Sequence, residues 1–140
     1  MTRLKTPMKI IALRGPYSCG KSTTLNLTYR ELLNNGAKSK DKQPIGTNPD
    51  HFCDTLTWKG LTIGILTMGD YSYMILDCIK EYEQKRYNVF ITACNARFIK
   101  PYKKISNYPG SYIHNKTKAA DPSLEASENA ADAMLLARLV

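Results

Sequence analysis

The sequence predicts an α/β layered fold with a mainly parallel sheet. Three observations lead there. Short aliphatic runs of strand character recur, at 9–14 (KIIALR), 61–66 (LTIGIL) and 88–94 (NVFITAC). Stretches with helical apolar spacing lie between them. Polar clusters rich in turn-forming residues separate the two kinds. Such alternation is what a sheet with crossover helices requires.

The elements follow in order. Ile10, Ile11, Ala12 and Leu13 form an apolar run that stops at Gly15, so 9–14 reads as a buried strand. From Lys21 to Asn34, Leu25, Thr28, Tyr29 and Leu32 recur at i, i+3, i+4 and i+7, one face of a helix. Gly36 follows as a C-terminal stop. Residues 37–51 read as a loop. Two β-branched runs then flank Lys59-Gly60, which predicts a hairpin with Leu61, Ile63 and Ile65 on one face.

Tyr71 to Arg86 reads as an amphipathic helix with a stripe of Ile75, Cys78, Ile79 and Tyr82. A strand is expected over 88–94, then a basic, aromatic connection over 95–110 broken by Pro101 and Pro109. A short strand at 111–114 is followed by a helix that starts at Asp121-Pro122, with Asp as cap and Pro in the first turn. Ala126, Ala130, Ala133 and Ala137 would form its packing face, with bulk from Leu135 and Leu139.

With 140 residues the chain suits one domain, residues 1–140. It is 43% hydrophobic and 23% charged, as soluble globular chains are. No run approaches the roughly 18 apolar residues of a membrane span. The N-terminus lacks a signal-peptide pattern, so a cytoplasmic location and no membrane partner are expected. Cys19, Cys53, Cys78 and Cys94 form no CxxC pair, which argues against a zinc site and for reduced thiols. A net charge of +8 suits anionic partners, although the lysines read as scattered over a soluble surface.

Residues 15–22, GPYSCGKS, fit the pattern GxxxxGK[ST] between an expected strand and an expected helix. Gly15 and Gly20 allow a tight turn whose N–H groups face phosphate oxygens. The helix N-terminus adds its dipole. Lys21 would neutralise the outer phosphates, and the Ser22 hydroxyl would ligate Mg²⁺. Ser18, Cys19 and Thr23 would complete the cradle through backbone N–H groups. A thiol at Cys19, beside phosphates and a helix N-terminus, would be acidified and oxidation-sensitive. The chain thus resembles the P-loop NTPases, specifically over 9–34 and by topology beyond.

That resemblance implies a three-layer P-loop fold, with a mainly parallel sheet, a β-hairpin edge and flanking helices. Two large groups differ in strand order. In the kinase–GTPase group the strand bearing the acidic Walker B residue lies beside the P-loop strand. In the additional-strand ATPase group another strand intervenes. The short chain and its hairpin are similar to the kinase–GTPase arrangement.

The Walker B run here is Leu61–Leu66, then Thr67, Met68, Gly69 and Asp70, with glycine before the acid rather than after it. Asp70 would hold magnesium or orient a nucleophile; alternatively it caps the helix that follows. Asp50 and Asp54 stand where P-loop kinases place an acid against the acceptor hydroxyl; the alternatives are an Asx turn and a strand-edge charge. Asn115-Lys116-Thr117-Lys118 has the start of a guanine reader but Lys for the acid, which favours ATP over GTP.

In 97–108 (RFIKPYKKISNY), basic residues alternate with aromatics. By resemblance to kinase lids, Arg97 would stabilise the transition state. The same segment could contact nucleic acid or an acidic partner, or be a solvated loop with packed aromatics. His51, His114 and Trp58 carry no assigned role. Together these features predict a protein that binds a Mg-nucleoside triphosphate and hydrolyses it. The alternatives are a small-molecule or nucleotide kinase, or a nucleotide-dependent nucleic-acid-binding module.

Overall fold

The computed structural model describes residues 8–140. One seven-stranded sheet runs through them in the order β2-β4-β5-β6-β1-β7, with β3 also paired to β4. The strands are β1 (Lys9–Gly15), β2 (Lys38–Ser39), β3 (Gln43–Pro44), β4 (Phe52–Trp58), β5 (Leu61–Leu66), β6 (Val89–Asn95) and β7 (Tyr112–Asn115). The helices are α1 (Lys21–Asn34), α2 (Ser72–Gln84), α3 (Ile99–Ser106) and α4 (Glu125–Arg138).

Side-chain alternation along the strands builds a core on each face of the sheet. Ile11 and Leu13 of β1, with Ile63, Ile65 and Ile91, pack against Leu25 and Leu32 of α1 and Leu136 of α4. Ile10 and Ala12, with Leu66 and Phe90, pack against Ile75, Ile79 and Tyr82 of α2 and Ile105 of α3. Helices therefore cover both faces.

The sheet is mixed, where a mainly parallel one was expected. β1 pairs parallel with β6 and β7, and β5 with β6. β4 is antiparallel to β2, β3 and β5. The β4–β5 hairpin was expected, and Lys59 and Gly60 turn it with φ of +49° and +78°, as a tight hairpin turn requires. The extra antiparallel pairing comes from 37–51, a stretch whose composition predicts a loop. Asp54 recruits it. This carboxylate is buried on β4 and accepts from Ser39 Oγ at 2.6 Å, Tyr29 Oη at 2.7 Å and the Asp41 N–H at 3.0 Å. Those bonds hold β2 against β4.

The strand order also corrects the expected arrangement. β5, which leads to Asp70, does not lie beside β1; β6 stands between them. The neighbour of β1 on that side ends in Asn95, register partner of Gly15, and carries an amide instead of an acid.

Other elements depart in detail. The connection over 95–110 contains α3, whose Pro101 sits in the first turn, where a missing N–H does no harm. On α4 the buried face is Asn129, Ala133, Leu136 and Ala137, while Ala126, Ala130 and Leu135 face solvent. Asp121 does cap the entry to α4, accepting from the Ser123 N–H at 3.0 Å, but a short 3-10 turn over Pro122–Leu124 comes first.

Candidate functional site

Loops leaving the C-terminal ends of β1 and β5, with the segment that enters β4, converge on one cleft, at the end of an α/β sheet where ligands bind. Its volume is about 360 Å³. Ser18, Gly20, Lys21, Ser22 and Thr23 line it, as do Asp50, His51, Gly69, Asp70 and Glu125. The apolar run of β1 ends against Gly15, and α1 starts at Lys21, so the intervening residues must turn within a few positions.

Two glycines explain how they do so. Gly20 has φ of +99°, a conformation that L side chains rarely adopt. A Cβ on Gly15 would stand 2.5 Å from the Lys116 carbonyl oxygen and 2.7 Å from Cys19 Sγ. Ser18 is also left-handed, at φ +59°. Cys19 is buried behind the loop at 3% exposure, which removes the access that an oxidation-sensitive thiol needs. It contributes to the loop from inside.

Lys21 is 6% exposed, and its Nζ donates to the Pro16 carbonyl at 2.7 Å. The ammonium is thus folded back over its own loop. Ser22 Oγ donates to the Thr67 carbonyl at 3.1 Å, which ties α1 to the end of β5. Thr67 is buried and organises the opposite rim. Its Oγ1 donates to the Asp50 carbonyl at 2.7 Å and accepts the Phe52 N–H at 2.9 Å. Asn26 Nδ2 reaches the same Asp50 carbonyl at 2.9 Å. The Asp50 N–H donates to Asn48 Oδ1 at 2.9 Å, an Asx turn made by Asn48. The Asp50 carboxylate remains on the cleft wall.

Asp70 does not cap α2. The N-cap position is Tyr71, and it makes no side-chain cap bond. Asp70 Oδ1 instead lies 3.4 Å from Asn95 Nδ2 at the end of β6. Gly69 is pressed on the β6 backbone, where a Cβ would meet Cys94 N at 2.6 Å. This contact accounts for the glycine before the acid: the loop must lie flat on β6 to bring Asp70 to Asn95. Burial pushes the nearby Cys94 thiol up to about 11, although the cations of Arg14 and Lys21 pull the other way.

The remaining expected residues separate. Arg97 is exposed and does not line the cleft; only its backbone N–H is engaged, with Asn95 Oδ1 at 2.9 Å. Asp54 is buried and saturated by its four donors, so it is a structural carboxylate. Lys116 is buried in an ion pair with Asp132 at 2.6 Å, and His114 takes the other oxygen of that carboxylate at 3.0 Å. Lys118, where a guanine reader would carry its acid, is exposed.

Asn95, Thr67, His51 and Glu125 were not singled out from sequence. Asn95 had a signal, because it ends an apolar strand as Gly15 does. Glu125 had none, since it reaches the cleft only through the packing of α4 on α1.

Among the described residues, no group of three or more His, Cys, Asp or Glu side chains could hold a metal ion. The donor set fits a Mg²⁺ that brings its own phosphate and water ligands, which needs only one or two protein oxygens. Ser22 and Asp70 line the cleft and could supply them. Among the described residues, no helix is long and apolar enough to cross a membrane. Compared with family models, curated proteins and solved structures, the chain matches none of them.

Proposed function

We propose that the chain is a P-loop protein that binds a Mg-nucleoside triphosphate and hydrolyses it, with ATP preferred to GTP. One observation carries this reading. The GPYSCGKS loop joins a buried strand to a helix N-terminus, and it holds a buried Lys21 ammonium over its own carbonyl at the wall of an open cleft. A phosphate would offer that ammonium a stronger, charge-assisted partner than the Pro16 carbonyl. The backbone N–H groups of residues 15–23 would cradle the phosphates.

Mg²⁺, held by Ser22 and Asp70, would neutralise charge on the transferring phosphoryl group. Asn95 Nδ2 holds Asp70 Oδ1, and the second carboxylate oxygen would orient a water. In hydrolysis the water oxygen bonds to the γ-phosphorus and its proton passes to solvent, the bond from that phosphorus to the β–γ bridging oxygen breaks, and the nucleoside diphosphate leaves with inorganic phosphate as the other product. With Asp70 as the acid, the intervening β6 supports an additional-strand arrangement over the kinase–GTPase one. The preference for ATP rests on Lys118, a cation where a guanine reader needs a carboxylate.

Phosphoryl transfer to an acceptor hydroxyl is the second reading, favoured by the Asp50 carboxylate on the cleft wall. One experiment separates the two. The protein is incubated with Mg-ATP or Mg-GTP, with and without candidate acceptor alcohols and nucleosides, and the products are resolved by ion-exchange chromatography. Hydrolysis predicts diphosphate and free phosphate without acceptor, more from ATP, and none from Lys21→Ala. A phosphorylated acceptor would favour transfer. No turnover under any condition would sink both.

A further inference from the structure

The net charge is not spread evenly along the chain. Residues 84–120 carry eight Lys and Arg and no Asp or Glu, while the rest of the sequence carries twelve of each. The whole excess of +8 therefore belongs to the stretch that contains β6, α3 and β7. Within it Lys116 is neutralised by Asp132, and Lys85 by Glu81. Arg97, Lys100 and Lys103 have no carboxylate partner among the described residues and are exposed.

The expected aromatic partners of this basic segment are not available. Tyr108 donates its hydroxyl to Glu83, Phe98 packs into the core, and Arg14 lies over the Tyr102 ring at 4.5 Å. Other aromatics are available at the same end of the sheet. Tyr17 is 74% exposed, Tyr71 51% and Tyr73 61%. The rings of Tyr71 and Tyr73 stack on each other at 5.8 Å between centroids.

Their placement follows from strand order. Tyr71 and Tyr73 come after β5, Arg97 and Lys100 after β6, and Tyr17 after β1. β5 and β6 are parallel neighbours, and α2 and α3, which follow them, pack together on one face of the sheet, so the segment of Tyr71 and Tyr73 lies next to that of Arg97 and Lys100, with Tyr17 at the cleft. Flat apolar rings exposed beside unpaired cations suit a ligand with both π-faces and repeated negative charge.

We infer that this surface, formed by Tyr71, Tyr73, Arg97 and Lys100 beside the cleft, binds single-stranded nucleic acid. Arg97 and Lys100 contact the phosphates, and the tyrosines stack on unpaired bases. The contact does not depend on sequence, because every base has a stackable face. It also stands apart from the nucleotide reading, since none of these four side chains lines the cleft.

Fluorescence anisotropy with a labelled 20-nucleotide oligo(dT) tests this without added nucleotide. The wild type is expected to bind, and more tightly than to a duplex of equal length. Arg97→Ala/Lys100→Ala should weaken binding about tenfold and flatten the plot of log affinity against log salt by roughly 1.4, for two lost phosphate contacts. Tyr71→Ala/Tyr73→Ala should weaken it about fivefold or more at unchanged salt slope. Lys38→Ala/Lys40→Ala, which removes equal charge at the far edge of the sheet, should stay within twofold. Circular dichroism and thermal melting confirm that each variant is folded.

No binding by the wild type overturns the inference. So does equal weakening by the Lys38/Lys40 control, or a preference for duplex. If polyglutamate displaces the oligonucleotide as well as unlabelled oligo(dT) does, the surface serves an acidic protein and the inference fails. Mg-ATP binding measured on Tyr71→Ala/Tyr73→Ala should match wild type. Loss of nucleotide binding in the wild type with oligonucleotide binding intact would remove the proposed function and leave this surface standing.

Discussion

Asn95 and Asp70 meet at 3.4 Å although Asn95 ends β6 and Asp70 lies in the loop after β5, 25 positions apart. The amide holds one carboxylate oxygen of a residue that lines the cleft. Asp70→Asn should therefore lower turnover about a hundredfold or more while changing triphosphate affinity by less than about threefold. Asn95→Ala should lower it about tenfold, because the acid stays but is no longer held. Steady-state kinetics with direct binding separates the effects: loss of affinity without loss of turnover would contradict the assignment.

Asp54 carries a different prediction. Replacing it with Ala strands the Tyr29 and Ser39 hydroxyls and the Asp41 and Thr55 N–H groups, all of which now donate to it. Asp54→Ala should cost roughly 2–4 kcal/mol of stability. Hydrogen exchange should rise first over β2 and β3. Chemical denaturation measures the first effect. A cost below about 0.5 kcal/mol would show that the carboxylate does not anchor that segment.

The thiols give the protein a basic limit. Burial pushes Cys94 up to about 11, and burial with the neighbouring Cys53 pushes Cys78 up to about 12, against an ordinary value of 9.0. Burial also raises Tyr82. These groups stay neutral in the fold, and the unfolded chain loses the protons first. Their contribution is complete below pH 9 and is lost as pH rises toward 11–12. Urea midpoints should fall between pH 9 and 11, and Cys94→Ala/Cys78→Ala should flatten that fall. A midpoint independent of pH in this range would refute it.

Much of the fold was legible because periodicity reports local structure. α1 begins at Lys21 and ends at Asn34 as its apolar spacing predicts, and the Lys59-Gly60 hairpin is in place. Strand order was not legible. Nothing in the α2 connection says on which side of β5 the next strand will dock, and so β6 was not expected between β5 and β1. The pairing of β2 and β3 was hidden for a related reason. It depends on one buried carboxylate, Asp54, reaching back along the chain. At the site, the residues within one motif came together. Asn95 and Glu125 join it only through tertiary packing, and Arg97 stays outside it, exposed in the turn between β6 and α3.

Gly20 tests the cradle. Its φ of +99° and the approach of Asn129 Oδ1, 2.7 Å from an added Cβ, leave no room for a side chain. Gly20→Ala should weaken triphosphate binding about tenfold or more. Thermal melting should fall by only a few degrees, because the loop lies at the edge of the core. Unchanged affinity in a folded variant would mean that the loop does not hold phosphate.

Everything proposed for the cleft depends on Lys21 sitting in a triphosphate site. Isothermal titration of wild type and Lys21→Ala with Mg-ATP, and with ATP in excess EDTA, tests it most directly. Wild type should show saturable one-to-one binding, weaker in EDTA, and a Lys21→Ala variant that melts as wild type does should bind at least about tenfold more weakly. Equal binding by the two proteins, or no binding by wild type at millimolar nucleotide, would contradict it.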